Sequence, residues 1–183
     1  MPVPFPNTEV IAGSRVVVLD CETTGLHASS RVVELGLVFL DGGGETTGEW
    51  SSLFRGDKWI DDDITAVNGI TTAMLQNAPR FREVSESLAR MFGTLRVVAH
   101  NAPFDHARVS HEFTRIRREP PPPFVCSMAL LGNLGYGRLS LEAARNLFGV
   151  SVKPDHSALT DALVTAEILR ELSQRHPEEF ALW

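Results

Sequence analysis

Four apolar residues in a row, Val16 to Leu19, followed at once by Asp20 and Glu22, leave few folds open to this chain. A short valine-rich run of this kind reads as a central strand covered on both faces. Side chains alternate along a strand, so Asp20 and Glu22 project from the same side at its carboxyl end. Two carboxylates there repel each other and are costly to desolvate, a cost that a divalent cation removes. Two unrelated surface acids at a strand end are the competing reading. The next residues, Thr23-Thr24-Gly25-Leu26, leave the strand through a glycine-bearing turn whose backbone amides can approach a ligand closely.

Arg31 to Leu40 and Thr46 to Phe54 read as two further strands, and Asp41-Gly-Gly-Gly-Glu45 between them reads as a hairpin turn. A phosphate cradle at the triple glycine lacks both a following helix and a Gly-Lys-Ser/Thr. From Asp61 the pattern turns helical, with Phe81, Val84, Leu88, Met91 and Phe92 at helical spacing. Residues 96–99 read as a buried strand and 104–117 as a helix that the proline run 120–123 must end. Further helices are expected at about 125–134, 140–148 and 157–175. Strands in meander followed by strands alternating with helices predict an α/β chain with a mixed sheet flanked by helices. A length of 183 residues fits a single domain, with a core at about 14–175 and an extended segment at 1–13.

Two more clusters carry chemistry. His100-Asn-Ala-Pro-Phe-Asp105 follows the strand at 96–99 and places Asp105 in the first turn of a helix, where the helix dipole by itself favours an acid. Asp155-His-Ser-Ala-Leu-Thr-Asp161 places His156 just before another helix, with Ser157 as its N-cap and Asp161 about one turn inside. Asp161 sits among Leu159, Ala162, Leu163 and Ala166 with no basic neighbour at helical spacing, so it needs a cation or a distant arginine.

Together, Asp-x-Glu-Thr-Thr-Gly, His-Asn-x-x-Phe-Asp and His-x-x-x-x-Asp resemble the signature of the DEDDh 3′-to-5′ exonucleases, over about residues 14–175. The nearest form is the proofreading (epsilon) subunit of bacterial DNA polymerase III, with ribonuclease T and oligoribonuclease more distant. The resemblance implies a ribonuclease-H-like fold with a five-stranded mixed sheet, three antiparallel strands and then parallel ones. It implies two Mg²⁺ or Mn²⁺ ions among Asp20, Glu22, Asp105 and Asp161, with His156 as general base for the attacking water. Two hard cations about 3.5–4 Å apart suit an in-line displacement at phosphorus, which would release nucleoside 5′-monophosphates.

Thr23, Thr24, Gly25, Leu26, His100, Asn101 and Phe104 are the implied substrate contacts, with Leu26 wedged against the last base of a single-stranded 3′ end. Val67-Asn-Gly-Ile-Thr71 departs from the usual His-Gly-Ile-Thr of the family at Asn68, which puts a peripheral pocket contact in question and leaves the metal centre untouched. Relatives that bind a polymerase carry a C-terminal extension, so stable polymerase association is not expected of a chain ending at Trp183.

Net charge is −6, which argues against clinging to duplex DNA. A metal-loaded acidic cluster nevertheless inverts the local field. Arg108, Arg115, Arg117, Arg118, Arg138, Arg145 and Lys153 could guide a strand toward it. Cys21 and Cys126 have neither the number nor the spacing for a disulfide framework or zinc knuckle. With no signal peptide and no apolar run near the roughly 18 residues of a membrane span, the expectation is a cytoplasmic protein. DNA or RNA as substrate, pathway, partners and oligomeric state stay open. A ribonuclease T-like RNA exonuclease is the nearest alternative. A small-molecule metal phosphatase lacks its downstream lysine, and a catalytically silent nucleic-acid-binding module has no need of a histidine beside metal-binding acids.

Overall fold

The computed structural model describes residues 5–6, 8–27, 29–57 and 60–178. Three antiparallel strands come first: β1 (Val16–Thr23), β2 (Val32–Leu40) and β3 (Thr46–Leu53). The strands β4 (Arg96–Ala99) and β5 (Val125–Cys126) then pair in parallel beyond β1, in the order β3-β2-β1-β4-β5. This is the mixed five-stranded α/β sheet expected. The β2–β3 turn is held by Asp41, whose side chain accepts from the amides of Gly43 (2.8 Å) and Glu45 (2.9 Å), so that two of the loop's amides are already engaged within it.

The alternation along β1 decides which helix meets which residue. Val17, Leu19 and Cys21 pack on one face with Phe81, Leu88, Met91, Val109 and Phe113, from helices α4 (Phe81–Thr94) and α5 (Ala102–Arg115). Val16 and Val18 pack on the other face with Ala162, Ala166 and Leu169 of the C-terminal helix, Ala158–Arg175. Asp20 and Glu22 continue the second parity and therefore meet that helix. The remaining helices are α2 (Asp62–Asn68), α3 (Thr72–Leu75), α6 (Ser127–Asn133) and α7 (Leu141–Phe148), of which α6 and α7 pack on the C-terminal helix, α8.

Some boundaries differ from those expected. Thr8–Gly13, expected to be extended, form a short helix α1. Ser14 closes it by donating to the Val10 carbonyl at 2.6 Å, and Gly48 of β3 leaves room for the Val10 side chain. The helix expected from 125 starts at Ser127, because Val125 and Cys126 pair with Val98 and Ala99 as the fifth strand. Helix α5 starts at Ala102 rather than Phe104, with Pro103 in its first turn, where proline costs no hydrogen bond.

Candidate active site

At the carboxyl end of β1, Asp20 faces Gly36 and Glu22 faces Glu34 on β2, and the register slips after Glu22. Helix α8 crosses above this point. A side-chain carbon at Gly36 would lie 2.3 Å from the backbone of Ala158, so only glycine lets the helix come this close. Glu34 accepts the first amide of α8, that of Ala158, at 3.0 Å, and Ser157 caps the same end by accepting from the Thr160 amide. Asp161, one turn in, is thereby brought to the strand. One oxygen each from Asp20, Glu22 and Asp161 lie within 4.8 Å of one another.

Asp105 comes from the opposite face. Asn101, left-handed at φ 62°, turns the chain from β4 into α5, and Asp105 in the first turn accepts the Cys21 amide at 3.1 Å. It is 3% exposed and close enough to Asp20 to raise that group's pKa. Burial, reinforced by the neighbouring acids, raises Asp20 well above the ordinary carboxylate range. Burial also lifts Glu22 and Asp105 to about 7, and it raises Asp161 despite the opposing charge of His156. Burial and the same acids push the Cys21 thiol up, so it is no candidate nucleophile.

The donor set is all hard oxygen, and the buried Oδ1 of Asp161 has no hydrogen-bond partner. Acids that repel in the absence of a counter-charge, with a buried oxygen left over, fit a divalent cation such as Mg²⁺ or Mn²⁺. His156 stands exposed on the loop before α8 at φ 60°.

The remaining expected contacts divide. Leu26 is 80% exposed at the tip of the turn after β1, and its carbonyl accepts from the buried Arg108 at 2.7 Å. Arg108 also lies 4.7 Å over the Phe104 ring, which joins Phe104 and Leu26 into one wall. Thr23 donates to the Gly25 carbonyl at 2.7 Å, and Thr24 accepts the Arg31 amide at 3.0 Å, so both hydroxyls shape the turn. Both ring nitrogens of His100 are engaged within the protein, by Ser127 Oγ (2.9 Å) and the Leu139 carbonyl (3.0 Å). Asn101 is exposed at the start of α5.

Two residues gain weight that sequence reasoning withheld. Asn68 donates directly to Glu22 Oε2 at 3.2 Å and lowers the Glu22 pKa against its burial, so it touches the acid cluster rather than a peripheral contact. Glu34, a single charge in the otherwise apolar Val32–Leu40, was the visible sign that β2 also reaches the site.

The family model described as Exonuclease, of the RNase T type, matches residues 17–169, a span that contains all four acids and His156. The chain belongs to the RNase T exonuclease family. This exonuclease is 31% identical over 166 residues to the DNA polymerase III subunit epsilon of Treponema pallidum, covering 87% of the chain and 77% of the relative. A Mycobacterium tuberculosis protein described as exonuclease/endonuclease is 33% identical over 87% of this chain, which spans 26% of that longer protein. Among solved structures, Exonuclease X in complex with 5′-overhanging duplex DNA superposes with TM-score 0.73 at 28% identity, covering 88% of this chain and 93% of that one. The nuclease domain of 3′hExo, a DEDDh family member bound to rAMP, shares the fold at TM-score 0.77 and 16% identity, covering 87% of this chain and 92% of that one. The chain is thus an exonuclease of the RNase T family, a class of enzyme that acts on nucleic acid. Among the described residues no helix is long and apolar enough to cross a membrane.

Proposed function

We propose that this exonuclease hydrolyses the terminal phosphodiester at the 3′ end of a single strand. In this reading Asp20, Glu22, Asp105 and Asp161 hold two divalent cations and His156 serves as general base. The observation that carries the reading is the cluster of Asp20, Glu22 and Asp161 oxygens within 4.8 Å, together with the unpartnered, buried Asp161 Oδ1. Bound divalent cations supply positive charge for the oxygens that enter and leave phosphorus.

The chain's own residues do the rest. His156, exposed beside the Asp161 carboxylate, takes the proton of the attacking water. Asp105, anchored on the Cys21 amide, closes the acid ring from the opposite sheet face. Leu26 and Phe104 form an apolar wall against which the terminal base stacks. The Thr23–Gly25 and Thr24–Arg31 bonds hold the turn that presents Leu26.

The test is a 5′-labelled DNA oligonucleotide, and its RNA counterpart, incubated with Mg²⁺ or Mn²⁺ and with excess chelator. Metal-dependent shortening one nucleotide at a time from the 3′ end is expected. Paired ends should be cut more slowly, since the terminal nucleotide must first unpair at a few kcal/mol, and a blocked 3′ end should resist. Undiminished hydrolysis in chelator, or cleavage of circular single strands at a comparable rate, removes the basis for the reading. Relative rates on the two strands decide the sugar preference.

A further inference from the structure

Far from the acid cluster, where the end of α5 meets the start of α4, an open cavity of about 450 Å³ is lined by Arg82, Ser85, Arg115, Ile116, Arg117 and Arg118. Four guanidinium groups around one cavity stand against a net charge of −6 for the chain. Arg115 pairs with Asp57 at 3.1 Å and Arg118 with Glu86 at 3.8 Å, both on exposed acids. Arg82 and Arg117 have no ion-pair partner among the described residues. The excess charge is therefore available to a ligand.

The backbone adds a second, independent observation. Arg117 is left-handed at φ 59° in the turn that ends α5, where the amide of Arg118 reaches back to the Phe113 carbonyl at 3.0 Å. Glycine is the usual occupant of such a turn, because an ordinary side chain is strained there. A strained arginine kept at the rim of an arginine-lined cavity points to a use for its side chain.

The position fits one ligand class. Helix α5 carries Asp105 in its first turn and Arg115 at its last residue, so cavity and acids are separated by about 15 Å along one rigid helix at about 1.5 Å per residue. Along that helix Arg108 holds the Leu26 turn and Glu112 holds Arg31, and Arg115 shares Asp57 with Arg31. At about 3.4 Å per phosphate of a stacked strand, roughly four to five nucleotides cover the distance. We propose that this arginine cavity binds backbone phosphates of the substrate strand several nucleotides upstream of the 3′ end. The proposal rests on the nucleic-acid reading of the acid site and adds a second, length-dependent anchor to it.

The test uses the full chain carrying Arg82→Ala with Arg117→Gly, a dinucleotide, and a fluorescent oligothymidylate of about 12 nucleotides, inside the roughly 4–16 nucleotide footprint of single-strand grooves. Binding of the oligothymidylate is read by anisotropy across salt concentrations, and hydrolysis of both substrates by release of nucleotide. For the oligothymidylate, roughly tenfold weaker binding and a log–log salt slope shallower by about 1.4, or about 0.7 per lost phosphate contact, are expected. The KM and kcat for the dinucleotide should not change. Arg117→Gly alone should raise the melting temperature by about 2–4 °C through relief of strain, so that lost affinity cannot be laid to lost folding. Unchanged oligothymidylate affinity and slope overturn the proposal, as does a parallel fall in dinucleotide hydrolysis. Displacement of the oligothymidylate by polyglutamate as readily as by unlabelled strand reassigns the cavity to an acidic polypeptide. Absence of hydrolysis on either substrate by the unaltered chain defeats the proposed function, and the anisotropy result then decides the cavity by itself.

Discussion

Gly36 faces Asp20 across the β1–β2 ladder, and the space beside it that a side chain would need is filled by the backbone of Ala158, 2.3 Å from where a Cβ would sit. Gly36→Ala must push the start of α8 outward and carry Asp161 away from Asp20 and Glu22. Overpacking of this kind costs about 1–3 kcal/mol. The variant should melt lower and bind Mn²⁺ more weakly in a calorimetric titration; wild-type values for both would show that α8 does not depend on this contact.

Burial of the acids, reinforced by their mutual repulsion, makes the stability of the metal-free protein depend on pH in an unusual direction. Burial raises Asp20, and it lifts Glu22 from 4.5 and Asp105 from 3.8 to about 7. The folded chain then holds protons that the unfolded chain has already released, so stability falls as pH rises from the ordinary carboxylate range through about 7. Each unit of elevation corresponds to about 1.4 kcal/mol. Asp41 and Asp57 are lowered, by backbone amides and by Arg31 respectively, and act only at more acidic pH. Thermal unfolding in chelator should give a higher melting temperature at about pH 5 than at about pH 8, with the gap narrowed by Mg²⁺ or by Asp20→Asn. A gap of the opposite sign contradicts the repulsive cluster.

Asn68 donates its side-chain amide to Glu22 Oε2 at 3.2 Å. Asn68→Ala removes a bond that favours the ionised carboxylate, so Glu22 should ionise at still higher pH. Metal binding and activity should both need more alkaline solution than in the unaltered protein, whereas kcat at saturating metal and high pH should recover. Identical pH profiles for the two proteins would assign Asn68 to packing alone.

His156→Ala should reduce turnover by roughly 10²–10⁴, the usual share of a general base, with Mn²⁺ affinity unchanged. Loss of metal binding along with activity makes the residue a ligand. A loss below about tenfold at saturating metal gives the base role to another group.

Glu112 is 1% exposed and accepts from Arg31 Nε at 2.6 Å and Nη2 at 2.9 Å. Glu112→Ala removes the buried partner of Arg31 and leaves its guanidinium to the exposed Asp57, 3.2 Å away, at a cost of about 3–5 kcal/mol in unfolding free energy measured by denaturant titration. Because Glu112 also accepts the Val32 amide, and the neighbouring Arg31 amide donates to Thr24 Oγ1, the same variant should loosen the turn and lose discrimination between paired and unpaired ends. A cost under about 1 kcal/mol would mean that water replaces the pair.

Local pattern determined a good deal of this protein. Period-two alternation along Val16–Glu22 is a property of any strand, so the shared face of Asp20 and Glu22 was legible before folding. The N-cap at Ser157 and the one-turn offset to Asp161 were equally local. The partners of those residues were not, because they lie on elements that meet only when the layers pack. Nothing in the spacing of Asn68 and Glu22, or of Ala158 and Glu34, marks them as bonded pairs. His100 looked like a substrate contact by its motif, yet its ring is held by Ser127 and the Leu139 carbonyl, far along the chain. A fifth strand is implied by the resemblance, but its place at Val125–Cys126 reads as helix in the sequence, since two residues are too short for a periodicity and exist as a strand only through pairing with Val98 and Ala99. Sequence therefore set the chemistry of the acids and the face each occupies. Tertiary packing alone set the distances that turn three carboxylates into one cluster, because burial and like-charge repulsion arise only once β1, β2 and α8 close on each other.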